Sequence, residues 1–153
     1  MISIRRVDPA QANELSTIAF AAKSHWGYPE RWMDMWIPQL TFSPAYFQEY
    51  QSWAAFDGEK PVGFYTWEER KGNARLENLW VLPEYMGRGI GKMLFLHAVE
   101  ESRQRGYQRL QLEADPHAVG FYERMGMFKV SERSYEIDGQ LRILPTMQLD
   151  LRA

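Results

Sequence analysis

A chain of 153 residues is the size of one compact domain, with a core large enough to bury roughly two thirds of the unfolded surface. The formal net charge is -2 and no long basic stretch occurs, which argues against nucleic acid as the main partner. Cysteine is absent, which excludes disulfides, thiolate metal sites and cysteine nucleophiles and suits a reducing, cytoplasmic setting. No apolar run approaches the roughly 20 residues that span a bilayer. Met1 to Asp8 has no signal-peptide core, so no membrane role is expected. His25, His97 and His117 lack zinc-ligand spacing, so no metal is expected either.

No repeat, low-complexity tract or linker-like stretch interrupts the chain, and a single domain over residues 1–153 is the simplest reading. Ile2, Ile4 and Arg6 alternate with Ser3, Arg5 and Val7 in a first strand. Asp8-Pro9 then opens a helix to about Lys23, with Leu15, Ile18, Ala19 and Ala22 at apolar helical spacing. Pro29, Pro38 and Pro44 break Ser24 to Tyr50 into short helices. Ser52–Phe56 and Val62–Trp67 read as a hairpin around Asp57-Gly58-Glu59-Lys60. Lys71-Gly72-Asn73 turns into a strand over Arg75–Leu82, stopped by Pro83. A helix over Gly89–Arg105 ends at Gly106, as a glycine just past a helix end should do. Arg109–Ala114 is a strand, and Pro116 opens a helix to about Met125, ended by Gly126. Phe128–Ile137 and Gln140–Leu151 close the chain as two strands around Asp138-Gly139. The order indicates an α/β or α+β fold, a sheet with helices packed on its faces.

The chemistry concentrates where strand Glu77-Asn78-Leu79-Trp80-Val81-Leu82 runs through Pro83-Glu84-Tyr85 into Met86-Gly87-Arg88-Gly89-Ile90-Gly91-Lys92 and a helix. Glycines at alternate positions leave the backbone uncovered at a helix N-terminus. The unpaired amides and the helix dipole there make a phosphate site, and Arg88 and Lys92 add charge. A Walker A loop would need Gly at Met86 and Ser or Thr at Met93. A dinucleotide fingerprint counted from Gly87 would need its third glycine at Lys92. Both fail.

The segment instead resembles motif A of the GNAT N-acetyltransferases, Gln/Arg-x-x-Gly-x-Gly/Ala. Gly89 and Gly91 match, and Met86 departs at the first position. Downstream, Asp115-Pro116-His117-Ala118-Val119-Gly120-Phe121-Tyr122-Glu123-Arg124-Met125-Gly126 looks like motif B of the same family, Asn-x-x-Ala-x-x-Phe-Tyr-x-x-x-Gly, with Asp115 in place of Asn. The resemblance implies a GNAT fold, with a mixed, mostly antiparallel central sheet of about seven strands flanked by helices. It also implies acetyl-CoA as co-substrate, no metal, and direct acetyl transfer to a primary amine.

The family's site roles then carry over by position. Met86, Gly87, Arg88, Gly89, Ile90, Gly91 and Lys92 hold the diphosphate. Leu79 and Val81 offer backbone groups to the pantetheine arm and the acetyl carbonyl, where one amide aimed at a developing oxyanion is worth roughly 3 kcal/mol. Leu79 and Val81 also read as plain core residues of a strand. An aliphatic amine with a pKa near 10.4 must lose a proton before it attacks. Glu77 is the candidate base, two residues before Leu79 and on the same strand face if no bulge intervenes; the alternative is a surface salt bridge with Arg75. Glu113 is held in reserve. Tyr122 occupies the position that protonates the departing thiolate, the alternative being a packed aromatic beside Phe121. Asp115 and Tyr122 can also touch the cofactor.

The acceptor site should come from Ser24–Tyr50, where His25, Trp26, Tyr28 and Trp32, with Glu77 from the strand, would hold a small cationic amine by cation–π contact. The competing reading is that these aromatics fill core under two short helices. The closing strands could pair across a homodimer. Against the enzyme stands one alternative of another class, a CoA-binding regulatory or interaction module that has lost catalysis, to which Met86 and Asp115 lend weight.

Overall fold

The computed structural model describes residues 1–152. In chain order the elements are β1 Ile2–Arg6, α1 Ala12–Ser24, α2 Glu30–Trp36, α3 Pro44–Glu49, β2 Gln51–Asp57, β3 Lys60–Arg70, β4 Asn73–Val81, α4 Ile90–Gln104, β5 Arg109–Glu113, α5 Val119–Arg124, β6 Phe128–Ile137 and β7 Gln140–Asp150. The strands follow the order β1-β2-β3-β4-β5-β7-β6, with β1–β2, β2–β3, β5–β7 and β6–β7 antiparallel and β4–β5 parallel. The β4–β5 ladder consists of Ala74–Leu110 and Arg75–Gln111. The chain forms two compact units, Met1–Trp67 with Asn78–Ala98, and Glu68–Glu77 with Val99–Ala153.

The first unit is built on α1. Leu15, Ile18 and Ala19 face a core with Met33, Leu40, Phe42, Phe47, Ala54, Phe56 and Phe64. The start of α1 differs from the sequence expectation. Asp8 caps a 3-10 turn over Pro9–Gln11, accepting from Ala10 N at 2.9 Å, and the α-helix begins only at Ala12. Ser16 ties the proline-broken segment back to α1, since its Oγ accepts from Phe42 N at 2.8 Å and donates to Ala12 O at 2.8 Å. Ser43 caps α3.

Gly63 on β3 marks a close approach of backbone. A Cβ there would lie 2.9 Å from the Trp80 carbonyl oxygen and 3.1 Å from Leu94 Cδ1 on α4. A carbonyl on a paired strand cannot step aside as a flexible side chain can. Gly63→Ala is therefore expected to destabilise by about 1–3 kcal/mol, lowering the thermal midpoint by several degrees. An unchanged midpoint in a melting experiment would show that β3 and β4 have slack.

In the second unit Leu110, Leu112, Ala114, Tyr122, Met127, Met147 and Leu151 are buried. Asp138 and Gly139, both at positive φ, make the two-residue turn of the β6–β7 hairpin. β6 is the last strand of the sheet, and its register to β7 shifts between Lys129 and Ser131. The expected helix after Pro116 resolves into a 3-10 turn over Pro116–Ala118 and a short α5. No helix of the described residues is long and apolar enough to cross a membrane.

Candidate active site

The loop between β4 and α4 is closed by its own backbone. Leu82 N donates to Val62 O at 2.9 Å, Tyr85 N to Leu82 O at 2.9 Å, and Met86 N to Pro83 O at 3.1 Å. Gly87 and Gly89 then sit at φ +79° and +81°, a region that side chains strain to adopt. The first bond of α4 runs from Met93 N to Gly89 O at 3.0 Å. The amides of Ile90, Gly91 and Lys92 precede it, so no helical carbonyl is available to them. A Cβ added to Gly87 or Gly89 would meet nothing within 4 Å, so this surface is open. Ile90, Leu94 and Ala98 anchor the helix in the core, while Arg88 and Lys92 are exposed. The Arg88 guanidinium lies 4.7 Å from the Tyr85 ring centroid, and Tyr85 OH donates to Asp57 Oδ2 at 2.7 Å. Outward amides, a helix N-terminus and two exposed cations fit a diphosphate.

Asn78 Nδ2 donates to Thr66 Oγ1 at 3.0 Å. The charges acting on Glu77 besides Arg75 are Glu68 and Arg70. Val81 lies beside Leu94 of α4 across Gly63. Asn78 is a site neighbour that the sequence reading passed over. Its amide also donates to Tyr46 OH at 3.0 Å, and its Oδ1 accepts from Trp80 Nε1 at 2.9 Å, which ties this end of β4 to β3 and α3.

Glu77 makes the salt bridge that stood as the alternative to catalysis: its Oε1 is 3.1 Å from Arg75 Nε. Its side chain is 28% exposed. Burial pushes its pKa above the usual carboxylate value, and that effect outweighs the opposing pull of Arg75. A proton acceptor with raised affinity suits a general base. The same guanidinium reaches the reserve candidate, with Arg75 Nη2 3.4 Å from Glu113 Oε2. Glu113 also faces Arg133 at 3.5 Å and accepts from Tyr135 OH. Two cations and a phenol hold Glu113 as a counter-ion. No signal in the sequence joined Arg75, Arg133 and Tyr135 to it.

Tyr122 is buried on α5, and burial first, then the Asp115 charge, raise its pKa well above the usual phenol value. It stays protonated at neutral pH. Full transfer of that proton to a thiolate of pKa near 8.5 is uphill, so the phenol acts as a hydrogen-bond donor to developing charge. Asp115 caps the 3-10 turn that leads into α5.

The aromatic segment forms real ring contacts. Tyr28 meets Trp36 edge-on at 4.9 Å and stacks with Trp32 at 6.0 Å, Trp32 meets Trp36 at 5.9 Å, and His25 meets Trp26 at 5.9 Å. Tyr28 and Trp36 also pack against the core of the first unit. The cation over these rings is internal: Lys23 Nζ lies 3.9 Å from the Trp36 centroid and 5.7 Å from that of Tyr28.

Comparison with known proteins bears on the fold and the family. The peptidyl-lysine N-acetyltransferase YjaB of Salmonella typhimurium is 36% identical over 96 residues, covering 63% of this chain and 61% of that relative. The chain spans about three fifths of the length of the curated relatives it matches first, 57% and 61%. Among solved structures, a GCN5-related N-acetyltransferase of Rhodopseudomonas palustris superposes with a TM-score of 0.83 at 22% identity, covering 97% of this chain and 94% of that one. The PaiA N-acetyltransferase of Thermoplasma acidophilum, in complex with coenzyme A, superposes at 0.77 with 20% identity, over 98% and 99% of the two chains. These likenesses establish the fold. The model of the acetyltransferase (GNAT) family matches residues 13–127, a span that contains both glycine-marked motifs, and the chain belongs to that family.

Proposed function

We propose that this chain, as one domain, is an acetyl-CoA-dependent N-acetyltransferase that moves an acetyl group directly to a primary amine of a small molecule. The observation that carries the reading is the open run of helix-start amides at Ile90, Gly91 and Lys92 behind two positive-φ glycines, a cradle for a diphosphate. Bound acetyl-CoA supplies an activated acyl carbon.

The chain's residues do the rest. The Met86–Lys92 backbone, with Arg88 and Lys92, holds the diphosphate, and the Leu79 and Val81 backbone holds the pantetheine arm. Glu77 takes a proton from the ammonium form of the acceptor, directly or through water. The amine nitrogen then bonds to the acyl carbon as the carbon–sulfur bond breaks, and the Tyr122 O–H steadies the charge gathering on sulfur. The products are an amide and a free thiol: of the two protons the ammonium nitrogen loses, one leaves through Glu77 and the other ends on the sulfur. Removing that donor in Tyr122→Phe is expected to lower kcat about tenfold with little change in CoA affinity. Turnover equal to the parent protein would assign Tyr122 to packing.

The aromatic segment around Tyr28, Trp32 and Trp36 supports a small cationic acceptor, since it already holds the Lys23 ammonium. A second reading, a lysine side chain in a peptide, is favoured by the name of the YjaB relative. The test is thiol release from acetyl-CoA across a panel of small amines and lysine peptides. Acceleration by a small amine supports the first reading, and acceleration by peptides alone selects the second. CoA binding without turnover on any acceptor would leave a CoA-binding module, the class opposed to an enzyme.

A further inference from the structure

The departure from motif B at Asp115 changes a charge. Where the family pattern has neutral Asn, this chain places a carboxylate at the start of the helical segment that carries Tyr122. The Asp115 side chain is only 14% exposed. Its Oδ1 accepts from the His117 amide at 2.9 Å and lies 3.0 Å from His117 Nδ1. A carboxylate so enclosed requires a counter-charge. His117 is a poor one, because it is 44% exposed and charged only when protonated. The permanent charge comes from the β6–β7 hairpin. Arg142, 11% exposed and opposite Tyr135 in the strand register, brings Nη2 to 3.6 Å from Asp115 Oδ2.

We propose that Arg142 is a positioning residue whose guanidinium cancels the Asp115 charge, so that the Asp115–Arg142 pair serves in this chain where a neutral Asn serves in the family pattern. The functional part of the proposal rests on the acetyl-CoA reading above. Negative charge gathers on the leaving sulfur as its bond to carbon breaks, and the Tyr122 phenol donates toward it. A carboxylate without its counter-ion opposes both events, since it repels the developing charge and makes the phenol a weaker donor. Asp115 already raises the Tyr122 pKa. Arg142 limits that influence, and unlike Lys it can present two parallel donors to one carboxylate.

Two measurements test the pair. Without cofactor, thermal melting should show Arg142→Gln with a lowered midpoint, Arg142→Lys nearer the parent protein, and the Asp115→Asn/Arg142→Gln double variant recovering most of the loss. With acetyl-CoA and an accepted amine, well below the melting range, Arg142→Gln should lower kcat roughly tenfold, equivalent to one pK unit, with the KM of the amine unchanged. The double variant should return to within about threefold of the parent, the non-additivity of a coupled pair. A double variant no better than Arg142→Gln in either measurement overturns the proposal, as does an Arg142→Gln protein with parental midpoint and kcat. Failure of the acetyl-CoA reading shows separately, as a parent protein that gives no heat with CoA and releases no thiol. The melting comparison reports on the pair in that case as well.

Discussion

Gly89→Val is expected to weaken CoA binding by at least about a hundredfold. A valine at φ +81° carries backbone strain of about 1–3 kcal/mol, and the loop can relieve it only by leaving the left-handed region. That movement turns the Gly89 carbonyl away from Met93 N, to which it is bonded at 3.0 Å, and unwinds the first turn of α4. If the loop holds its shape, the valine methyls stand in the open space over the amides, where the diphosphate must lie. Both routes remove the same contacts, and about 2.8 kcal/mol of lost binding is a hundredfold. Isothermal calorimetry with CoA reads the effect. Thermal melting shows that the fold persists, since a Cβ at this position meets no neighbour within 4 Å. A Gly89→Val protein that binds CoA as the parent does would remove the loop from the binding site, and with it the main support for the acetyltransferase reading.

Glu77→Gln is expected to lower kcat by roughly a hundredfold or more, the range of a lost general base, and to change the shape of the pH profile. In the parent protein kcat should rise with pH as Glu77 ionises, above the usual carboxylate range because burial raises its pKa, and then level off. In the variant the amine must lose its proton unaided, so the rate should go on climbing toward the amine's own pKa, near 10.4 for a lysine-like acceptor. Stability should move differently. A raised pKa means that the folded protein holds this proton more tightly than the unfolded chain. The resulting stabilisation is complete below the unfolded pKa and is lost as pH rises through the folded one. At neutral pH the ionised Glu77 is thus a net cost, and Arg75 keeps Glu113 as a partner at 3.4 Å when Glu77 is replaced. The melting midpoint at pH 7 should hold or rise while kcat falls. A variant with the parent's pH profile would exclude Glu77. Glu113 would not inherit the role, because Arg75, Arg133 and Tyr135 already engage it.

The order of elements and the glycine-marked start of α4 were legible in the residues themselves. The strands and helices run near their expected places, with the starts of α1 and α5 moved by three residues where a 3-10 turn precedes each. The apolar stripe of α1 faces core as its spacing indicates. The open helix start was readable because its causes are local. Glycines at 87 and 89 permit positive φ, the start of a helix leaves amides without carbonyls, and a proline ends the strand ahead of them.

What the side chains do to one another was decided only in three dimensions. The side-chain bonds of Asn78, to Thr66 on β3 and Tyr46 on α3, join residues far apart in the chain, and no residue type announces them. The partner of Asp115 is an arginine on β7, and one guanidinium on β4 joins both candidate bases, Glu77 and Glu113. The cation that the aromatic segment holds is Lys23 of the same chain, a contact that the sequence did not indicate. Residue type and near-neighbour spacing set backbone conformation and the exposure of backbone groups. Coulomb and hydrogen-bond energies depend on distances of a few ångströms across strands, and strand register, which packing of the whole chain settles, fixes those distances.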